Sequence, residues 1–541
     1  MPTMYSSIGY PSIVILLLGL AVWKLLKVGR RPAGMPPGPP TIPLLDAEKR
    51  RSRTVPEMGR GIWSCVYSHA WCSAAVVLSS DVAVKDLLDK KGNIYSDRPS
   101  MFIGQNIASG GQRLILMKYN DTWRTIRSLV HNALNITVAA KYVPYQDLEN
   151  KFLLAGLLDT PEQLLDHLKR FSYSVSTQML FGFRCPSSDD PKLARLFYTL
   201  ERFGKVSASD AAQLADCYPI LQKLPHSWLP EVKAARQIHE VGRHLYTSHW
   251  LEAKKALEDG TALPCLCNDL LLAQKSESLS DEAVGYIVGN LLEGGSDTTA
   301  STMLGFVQAM MVFQDAQKKA REEIDRVVGP NRLPEIDDYA DMPYIRCCIK
   351  ETLRFMPTVI LGVPHRVMQD DVYNGYKVPK GTTIFTNVWG IHMDPARSPE
   401  PRRFNPDRYA GDATTLYQSA NGEPLLRDNF NFGAGRRLCQ GIHIAERSLF
   451  LGMSRILWAF SLEAPLDDRG KPIIPDVDNL VGGITVHPAP FGINIVPRSP
   501  ERVQIVRDAV KDCEKLLHPT TGQWKAVPEG MAFGAWKPRK E

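Results

Sequence analysis

The amino-acid sequence predicts a mainly α-helical fold with small β-sheets, preceded by one transmembrane helix. Apolar residues recur at helical spacing from Phe152 to about Gly260, and a long apolar run follows Ser280 and Asp281. Short strand-like segments with Asn-Gly and Lys-Gly turns occupy residues 363–395. Hydrophobic residues make up 44% of the 541 residues, which is typical of a globular protein. The net charge of +6 is small, so nucleic acid is not an expected partner.

The N-terminus predicts a single membrane anchor. Residues Ile8–Leu26 are almost all apolar, roughly the 20 residues that span a bilayer. A cleaved signal peptide is the alternative, but it would need a basic start and a small-residue cleavage site. Lys24, Lys27, Arg30 and Arg31 lie at or beyond the C-terminal end of this segment, so the positive-inside rule places the main body in the cytosol. Ten cysteines without regular spacing fit that reducing compartment.

One cysteine, Cys439, lies in a setting that favours a metal-bound thiolate. Gly433 and Gly435 permit a tight loop before it, because glycine adopts positive φ at little cost. Arg436 and Arg437 place positive charge beside the sulfur, which lowers the pKa of a thiol. A periodic apolar run directly afterwards predicts a helix start, whose dipole further favours an anion. No neighbouring His or Cys completes the set of about four ligands that a zinc site would need.

Five residues around this cysteine, Phe432, Gly435, Arg437, Cys439 and Gly441, fill the spacing F-x-x-G-x-R-x-C-x-G. This pattern resembles the haem-binding signature of the cytochrome P-450 monooxygenase superfamily. The resemblance implies the cytochrome P-450 fold and haem b (iron protoporphyrin IX), with Cys439 as the axial ligand of the iron and with Phe432, Gly435 and Arg437 at the cofactor. Thiolate ligation favours O–O cleavage. The alternative interpretation is a buried cysteine in a glycine-rich turn.

A second motif, GGSDTT at Gly294–Thr299, lies inside the long apolar run. Two adjacent glycines inside a helix cost roughly 1 kcal/mol each relative to alanine, which indicates a functional reason. The motif resembles the A/G-G-x-D/E-T-T element of the same superfamily, where the helix crosses the distal face of the haem. The resemblance implies that Thr298 hydrogen-bonds dioxygen and that Asp297 relays protons from solvent. The alternative is a capping or kink-forming polar cluster.

Three residues match positions that hold the haem propionates in this superfamily. Trp123 and Arg127 are four residues apart, so they share one face of a predicted helix, and they resemble the W-x-x-x-R element. Arg366 occupies the place of another propionate ligand. Arginine suits this task because its guanidinium can donate two hydrogen bonds to one carboxylate. Taken alone, Trp123 and Arg127 would be a packing pair with a solvated charge.

Three charged residues resemble the structural network of the superfamily. Glu351 and Arg354 form an E-x-x-R element and can pair on one helix face. Arg403 lies in a version of the P-x-R-F motif and matches the third member. The resemblance implies a buried charge network that stabilises the haem-side core, a structural role rather than a catalytic one. A solvated helix pair is the alternative for the E-x-x-R element alone.

The resemblance implies an apolar small-molecule substrate held by variable loops. Phe102–Leu116, Thr358–Val363 and Val481–Ile484 are the expected lining segments. The sequence of residues 364–381 most resembles that of fungal enzymes that oxidise secondary metabolites, similar to the O-methylsterigmatocystin oxidoreductase group. Residue patterns give neither the identity of the substrate nor the position that is oxidised.

The chain divides into four predicted parts. The proline-rich segment Gly34–Pro43 forms a stiff connector after the anchor. The resemblance spans about Pro36 to Ser499 and is weakest from Ala47 to Ala75. The predicted parts are an N-terminal membrane anchor (1–27), a basic and proline-rich linker (28–43), a haem-thiolate catalytic domain (44–499) and a C-terminal tail (500–541).

The function implied by the resemblance is that of a single-pass monooxygenase of the endoplasmic reticulum membrane, with its catalytic domain in the cytosol. It would use O₂ and electrons from NADPH-cytochrome P-450 reductase, an acidic partner that would dock near Arg124 and Arg436. Two alternatives remain: a thiolate-haem isomerase or dehydratase that needs no O₂, and a non-catalytic haem-binding protein. Asp297 and Thr298 favour the monooxygenase, because the isomerase-type relatives tend to lack this pair.

Overall fold

A computed structural model describes residues 34–35, 65–68, 74–225, 229–276 and 278–531. The predicted membrane anchor and most of the predicted linker lie outside the described residues. Within the described ranges, no helix is both long and apolar enough to span a bilayer.

Most of the described chain is α-helical, as the sequence predicts, and the long helices follow the predicted apolar periodicity. The first helices are α1 Asp81–Val84, α2 Gly92–Tyr95, α3 Asp121–Leu134, α4 Ile136–Lys141, α5 Val143–Asp159, α6 Leu164–Phe181, α7 Pro191–Ser207, α8 Asp210–Cys217 and α9 Pro230–Glu258. The remaining helices are α10 Leu266–Ser276, α11 Asp281–Val312, α12 Gln314–Val327, α13 Pro343–Phe355, α14 Val388–His392, α15 Leu416–Asn421, α16 Ile442–Ala459 and α17 Pro500–Lys515.

The strands have two to four residues each and form small sheets. They are β1 Cys65–Ser68, β2 Ala75–Leu78, β3 His365–Arg366, β4 Asp371–Tyr373, β5 Tyr376–Val378, β6 Thr383–Thr386, β7 Phe460–Glu463, β8 Leu480–Gly482, β9 Val486–Pro488 and β10 Asn494–Pro497. One sheet has the order β1-β2-β6-β3, and three two-stranded sheets pair β10 with β7, β4 with β5 and β8 with β9. The predicted Asn-Gly turn is confirmed between β4 and β5, where Asn374 and Gly375 both have positive φ.

Helix α11 is the long buried helix that the sequence predicts. Its 32 residues begin after Ser280, whose side chain accepts a hydrogen bond from the N–H of Ala283 at 3.1 Å. It packs against α6 and α9, and its second half is almost entirely buried. Because α11 runs through the protein interior, side chains at its middle are available to an internal cavity rather than to solvent.

Glu351 and Arg354 form the predicted ion pair on α13. Nε and Nη2 of Arg354 each donate to one carboxylate oxygen of Glu351 at 2.7 Å, and both side chains are fully buried. The backbone N–H of Asn405 also donates to Glu351, at 2.8 Å, and Nη1 of Arg354 donates to the His392 carbonyl at 3.1 Å. The pair therefore ties α13 to the two segments that precede the Cys439 loop.

The prediction that Arg403 completes this network is wrong. Its side chain is exposed and lies 3.5 Å from the exposed Asp315. Arg408 takes the predicted place, since its Nε donates to Glu351 at 3.4 Å. The inward-facing position of the preceding turn belongs to Arg402, so Arg403 points away from the core.

The segment after residue 500 packs against the same core as the rest of the chain. α17 lies against α5, and Trp524 beyond it donates from Nε1 to Oε1 of Gln178 at 2.6 Å. Arg184 donates from Nη1 to the Gly522 carbonyl at 2.8 Å. The predicted tail begins at the first residue of α17, and the residues from there to 531 are packed against the core.

Candidate active site

An internal cavity of about 1090 Å³ lies between α11 and the loop that carries Cys439. Its walls are mostly apolar. The predicted lining segments are confirmed in part: Thr358, Val359, Gly362 and Val363 line it, as do all four residues of Val481–Ile484. Of the predicted loop Phe102–Leu116, only its last part, from Arg113 to Ile115, reaches the cavity.

The loop before Cys439 makes the tight turn that its glycines predict. Gly433 and Gly435 have φ values of +73° and +56°. A Cβ at Gly435 would lie 1.9 Å from the carbonyl oxygen of Leu88, so only glycine fits there. The N–H of Cys439 then donates to the Phe432 carbonyl at 2.8 Å, and this bond orients the cysteine toward the cavity.

The thiol of Cys439 is enclosed by protein, and its accessible surface faces the cavity. Burial raises the pKa of Cys439, while the N–H of Gly441 and the charge of Arg127 act in the opposite direction. The predicted helix start is confirmed, since Gly441 precedes the first residue of α16. The sulfur therefore receives support from a backbone amide and from a cation on a different helix.

The expectation that Arg436 and Arg437 supply the positive charge at the sulfur is not met. Arg436 is exposed and donates to the hydroxyl of Tyr119. Arg437 donates to the carbonyls of Ser96 and Met117 at 2.9 and 2.7 Å. Both side chains point away from the sulfur. The turn that brings Cys439 to the cavity directs Arg436 outward and Arg437 along the edge of the cavity.

The predicted residues Trp123, Arg127 and Arg437 converge at one edge of the cavity. The guanidinium of Arg437 lies 4.0 Å from the centre of the Trp123 ring, and Arg127 donates to the Leu438 carbonyl. Arg98 joins them and was missed by the sequence reasoning. It is 4% exposed and donates to the carbonyls of Ile115, Val363 and Pro364.

The prediction that Arg366 reaches the cofactor is wrong, and His365 takes its place. His365 lines the cavity, whereas Arg366 is not among the residues that do. Successive side chains of a strand point to opposite faces of the sheet. His365 and Arg366 are consecutive residues of β3, so Arg366 points away from the cavity when His365 faces it. Burial strongly lowers the pKa of His365, and its Nδ1 lies 2.7 Å from the Tyr95 carbonyl oxygen.

The cationic edge of the cavity fits a group with two carboxylates, as haem b has. Arg98, Arg127 and Arg437 bond only to backbone carbonyls of described residues. The buried Nη1 of Arg437 has no hydrogen-bond partner there. Burial lowers the pKa of Arg437 to about 9 and that of Arg127 to about 10, and Arg127 adds to the shift at Arg437. An anion bound at this edge would accept a hydrogen bond from the unpaired Nη1. It would also offset the cost of burying the charged guanidinium groups.

Residues of the GGSDTT motif line the same cavity from an unbroken stretch of α11. A Cβ at Gly294 would meet no atom within 4 Å, while one at Gly295 would lie 2.5 Å from Oγ of Ser176 on α6. Gly294 therefore leaves room in the cavity, and Gly295 permits close packing of α6. The hydroxyl of Thr298 donates to the Gly294 carbonyl at 2.7 Å.

Asp297 has a partner that the sequence did not reveal. Oγ1 of Thr485, in the turn between β8 and β9, donates to Oδ2 of Asp297, and both residues line the cavity. The two positions are 188 residues apart, so only the fold brings them together. This bond fixes the orientation of the carboxylate beside Thr298.

Asp216 holds the start of the loop that leads to the cavity. Its Oδ1 accepts a hydrogen bond from the N–H of Phe102 at 2.6 Å, at the beginning of the π-helical segment Phe102–Ile107. Burial raises the pKa of Asp216 to about 6, against the opposing effects of the Phe102 amide and Lys118. A carboxyl group with a raised pKa favours the folded state at low pH, and this contribution is lost as pH rises from about 4 to about 6.

Asp216→Asn is therefore expected to stabilise the protein above pH 6. The amide still accepts from Phe102, and the partly buried charge is removed. The gain should be about 1 kcal/mol at pH 8, after allowance for solvent screening, and it should shrink at pH 5.5. Thermal unfolding of the holoprotein at both pH values measures it, with Asp189→Asn as an exposed control. A loss of stability at both pH values would contradict the expectation.

The fold and the cavity together define a mainly helical haem enzyme. The family model for cytochrome P450 matches residues 62–495. The chain belongs to the cytochrome P450 family, as the signature around Cys439 predicts.

Curated relatives extend along almost the whole chain. Cytochrome P450 monooxygenase virE of Hypocrea virens is 48% identical over 528 residues, which cover 96% of this chain and 96% of that protein. Cytochrome P450 monooxygenase fogE of Aspergillus ruber is 43% identical over 534 residues, with coverage of 96% and 98%. The chain is thus a haem-dependent monooxygenase that acts on small molecules. The narrower fungal group predicted from residues 364–381 stays a prediction.

A solved structure confirms the fold. A zebrafish cytochrome P450 determined with progesterone superposes with a TM-score of 0.67 at 23% identity, covering 82% of this chain and 99% of that one.

Proposed function

We propose that the thiolate of Cys439 would ligate the haem iron and that Asp297 and Thr298, on α11, would deliver protons within the same cavity. The observation that carries this proposal is that Cys439 and the pair Asp297 and Thr298 line one cavity from two separate elements. Among the described residues, no cluster of three or more His, Cys, Asp or Glu could hold another metal ion. Thiolate-ligated haem supplies the activation of dioxygen, with one atom going to the substrate and the other to water.

The residues at the cationic edge would hold the cofactor. Arg98, Arg127 and Arg437 carry guanidinium groups that would bind its carboxylates, and the unpartnered Nη1 of Arg437 supplies one such donor. His365 adds a buried ring nitrogen at the same edge. Trp123 packs under the guanidinium of Arg437 and keeps it in place.

Proton delivery falls to the middle of α11. The carboxylate of Asp297 can accept and release a proton at Oδ1, because Oδ2 is held by Thr485. The hydroxyl of Thr298 is the next donor along the helix, and it can exchange its bond to the Gly294 carbonyl for one to a group in the cavity.

Thr298→Ala is expected to uncouple electron consumption from product formation. Haem and substrate should still bind, because the hydroxyl bonds only within its own helix. Product formed per NADPH should fall roughly tenfold or more, and hydrogen peroxide should rise to match, since loss of a proton donor typically costs at least a hundredfold in its step. NADPH, product and peroxide are measured in the same reaction.

The matched control for this variant is Thr298→Ser, which keeps a hydroxyl at the same position. It should retain most of the coupling. Full coupling in the alanine variant would count against a role for Thr298.

Electron delivery is proposed to come from NADPH-cytochrome P450 reductase at the surface behind Cys439. Arg124 and Arg436 both lie over the ring of Tyr119, at 5.7 and 5.4 Å from its centre, which supports a basic patch there. Arg124 also pairs with Asp121, so Arg436 carries more of the unbalanced charge. The protein would be anchored in the endoplasmic reticulum membrane by residues 1–27, with its catalytic domain in the cytosol, as the N-terminal sequence predicts.

The substrate is proposed to be an apolar intermediate of fungal secondary metabolism. The mostly apolar cavity supports this chemistry, and the two curated relatives cited above are fungal monooxygenases. Reconstitution of the purified holoenzyme with the reductase, followed by analysis of NADPH-dependent products, tests the proposal. Products that form without NADPH or O₂ would indicate the isomerase or dehydratase alternative.

A further inference from the structure

A buried charged cluster interrupts the apolar wall of the cavity away from Cys439. Arg113 and Glu293 form an ion pair, with side chains only 6% and 7% exposed, and both line the cavity. The hydroxyl of Tyr246 donates to the other oxygen of Glu293. Burial and the nearby Glu293 raise the pKa of Tyr246, so its phenol stays neutral.

Arg113 is held in one orientation. Its Nε donates to Oγ of Ser109 at 3.1 Å, and that hydroxyl donates in turn to the Gly104 carbonyl at 2.8 Å. Its guanidinium lies 3.7 Å from the centre of the Phe203 ring. Nη1 donates to Glu293, whereas no hydrogen bond joins Nη2 to a described residue, and Nη2 is not among the fully buried atoms without a partner, so it keeps accessible surface. A preorganised N–H donor is thus present at the cavity wall.

Stability alone does not explain why a charged cluster is buried at this place in the cavity wall. A buried ion pair is often no more stabilising than apolar side chains of the same size, because both charges lose their hydration. A cavity for purely apolar molecules would gain from an apolar wall at this place. An oriented donor in an apolar cavity instead discriminates strongly between ligands that can and cannot satisfy it.

We propose that Arg113, supported by Glu293 and Tyr246, binds a neutral oxygen acceptor of the substrate, such as a carbonyl or hydroxyl oxygen. This inference rests on the cavity being the substrate site of the proposed monooxygenase. It narrows the substrate class from any apolar molecule to an apolar molecule with one oxygen function at a defined place.

Charge balance selects a neutral group over a carboxylate. Glu293 already neutralises Arg113, and Asp297 adds a second acidic side chain to the same cavity. A carboxylate bound at Nη2 would therefore meet the like charge of Glu293 at close range, on a cation that is already paired. A carbonyl or hydroxyl oxygen can accept from Nη2 without that penalty.

The position of the cluster also constrains where oxidation occurs. Glu293 precedes Asp297 by four residues on α11, so the cluster lies about 6 Å along the helix axis from the proposed proton-delivery site. A substrate anchored at Arg113 would present a carbon several bonds away from its bound oxygen to the reactive centre.

The test uses three probes of one size and measures their binding to the full-length ferric holoprotein by the change in haem absorbance. The probes are 2-acetylnaphthalene (a neutral ketone), 2-ethylnaphthalene (a hydrocarbon) and 2-naphthoate (a carboxylate). The wild-type protein should bind the ketone about tenfold more tightly than the hydrocarbon and should bind the carboxylate most weakly. Equal affinity for ketone and hydrocarbon would overturn the proposal without any variant.

The decisive variant is Arg113→Met combined with Glu293→Gln. It removes both charges together, so no buried charge is left unpaired, and the new amide can still accept from Tyr246. Its ratio of ketone to hydrocarbon affinity should fall to about one, with hydrocarbon affinity unchanged. Retention of the wild-type ratio would overturn the proposal. Glu293→Gln alone should keep the ratio and strengthen naphthoate binding roughly tenfold.

A control variant and a control measurement separate the possible failures. Lys205→Met removes a cation that is 66% exposed at the cavity rim and pairs with Glu201, and it should leave the ratio unchanged. An equal loss of preference in this variant would overturn the assignment to Arg113. The reduced, carbon-monoxide-bound spectrum and NADPH-dependent turnover report the proposed function separately. If both are normal while the wild-type ratio is one, only the oxygen-binding proposal fails.

Discussion

Cys439→Ala is expected to abolish the thiolate-type absorption band of the reduced, carbon-monoxide-bound protein and to reduce NADPH-dependent oxidation below about 1% of wild type. Among the described residues, Cys439 is the only cysteine that lines the cavity. Absorbance spectra of purified protein measure the band, and product analysis measures the oxidation.

Cys217→Ala is the matched control for this substitution. Cys217 ends α8 and does not line the cavity, so its removal should leave both the band and the turnover intact. An unchanged band in Cys439→Ala would exclude Cys439 as the ligand of the iron.

Arg354→Ala is expected to yield protein with little or no haem. The substitution strands the carboxylate of Glu351, which has no exposed surface, and removes the bond to the His392 carbonyl. Breaking a buried ion pair in this way typically costs about 3–5 kcal/mol, a large part of the stability of most domains. The ratio of haem absorbance to protein absorbance in the purified material measures the loss.

Arg403→Ala tests whether Arg403 lies outside this charge network, as the structure indicates. Because Arg403 is exposed and only 3.5 Å from an exposed Asp315, its removal should change stability by less than about 0.5 kcal/mol and leave the haem content normal. Loss of haem in the Arg403 variant would show that the sequence motif, and not the contact between Arg408 and Glu351, identifies the third arginine of the network.

The sequence predicts the parts of the site that depend on local chain geometry. The Cys439 loop, the helix that follows it and the Asp297 and Thr298 pair are each encoded within about ten residues, so spacing alone places them. The Asn374 and Gly375 turn is likewise local, since its positive φ values demand those residue types.

Where neighbouring residues compete for one position, the sequence predicts the motif but not the residue. His365 and Arg366 are both basic and adjacent, and only the direction of β3 determines which one faces the cavity. Arg403 and Arg408 differ in the same way, because the course of an irregular turn decides which guanidinium reaches Glu351. Such choices depend on packing with elements far away in the chain.

Contacts between distant segments leave no local pattern at all. Arg113 and Glu293 are 180 residues apart, and Thr485 and Asp297 are 188 apart. Arg98 lies in the segment YSDRPS, but nothing in that local sequence reveals its three backbone carbonyl partners.

The close packing of the chain after Pro500 bears on how this enzyme is handled. The family model ends at residue 495, yet Gln178 and Arg184, which contact Trp524 and Gly522, also belong to the buried polar group around Glu149 on α5. A truncation at the end of the region that the family model matches would expose this buried polar group to solvent. The side chains that bond to Glu149 would then be held less firmly. Affinity tags and fusion partners should therefore be attached after Met531, because the described residues before that point pack against the core.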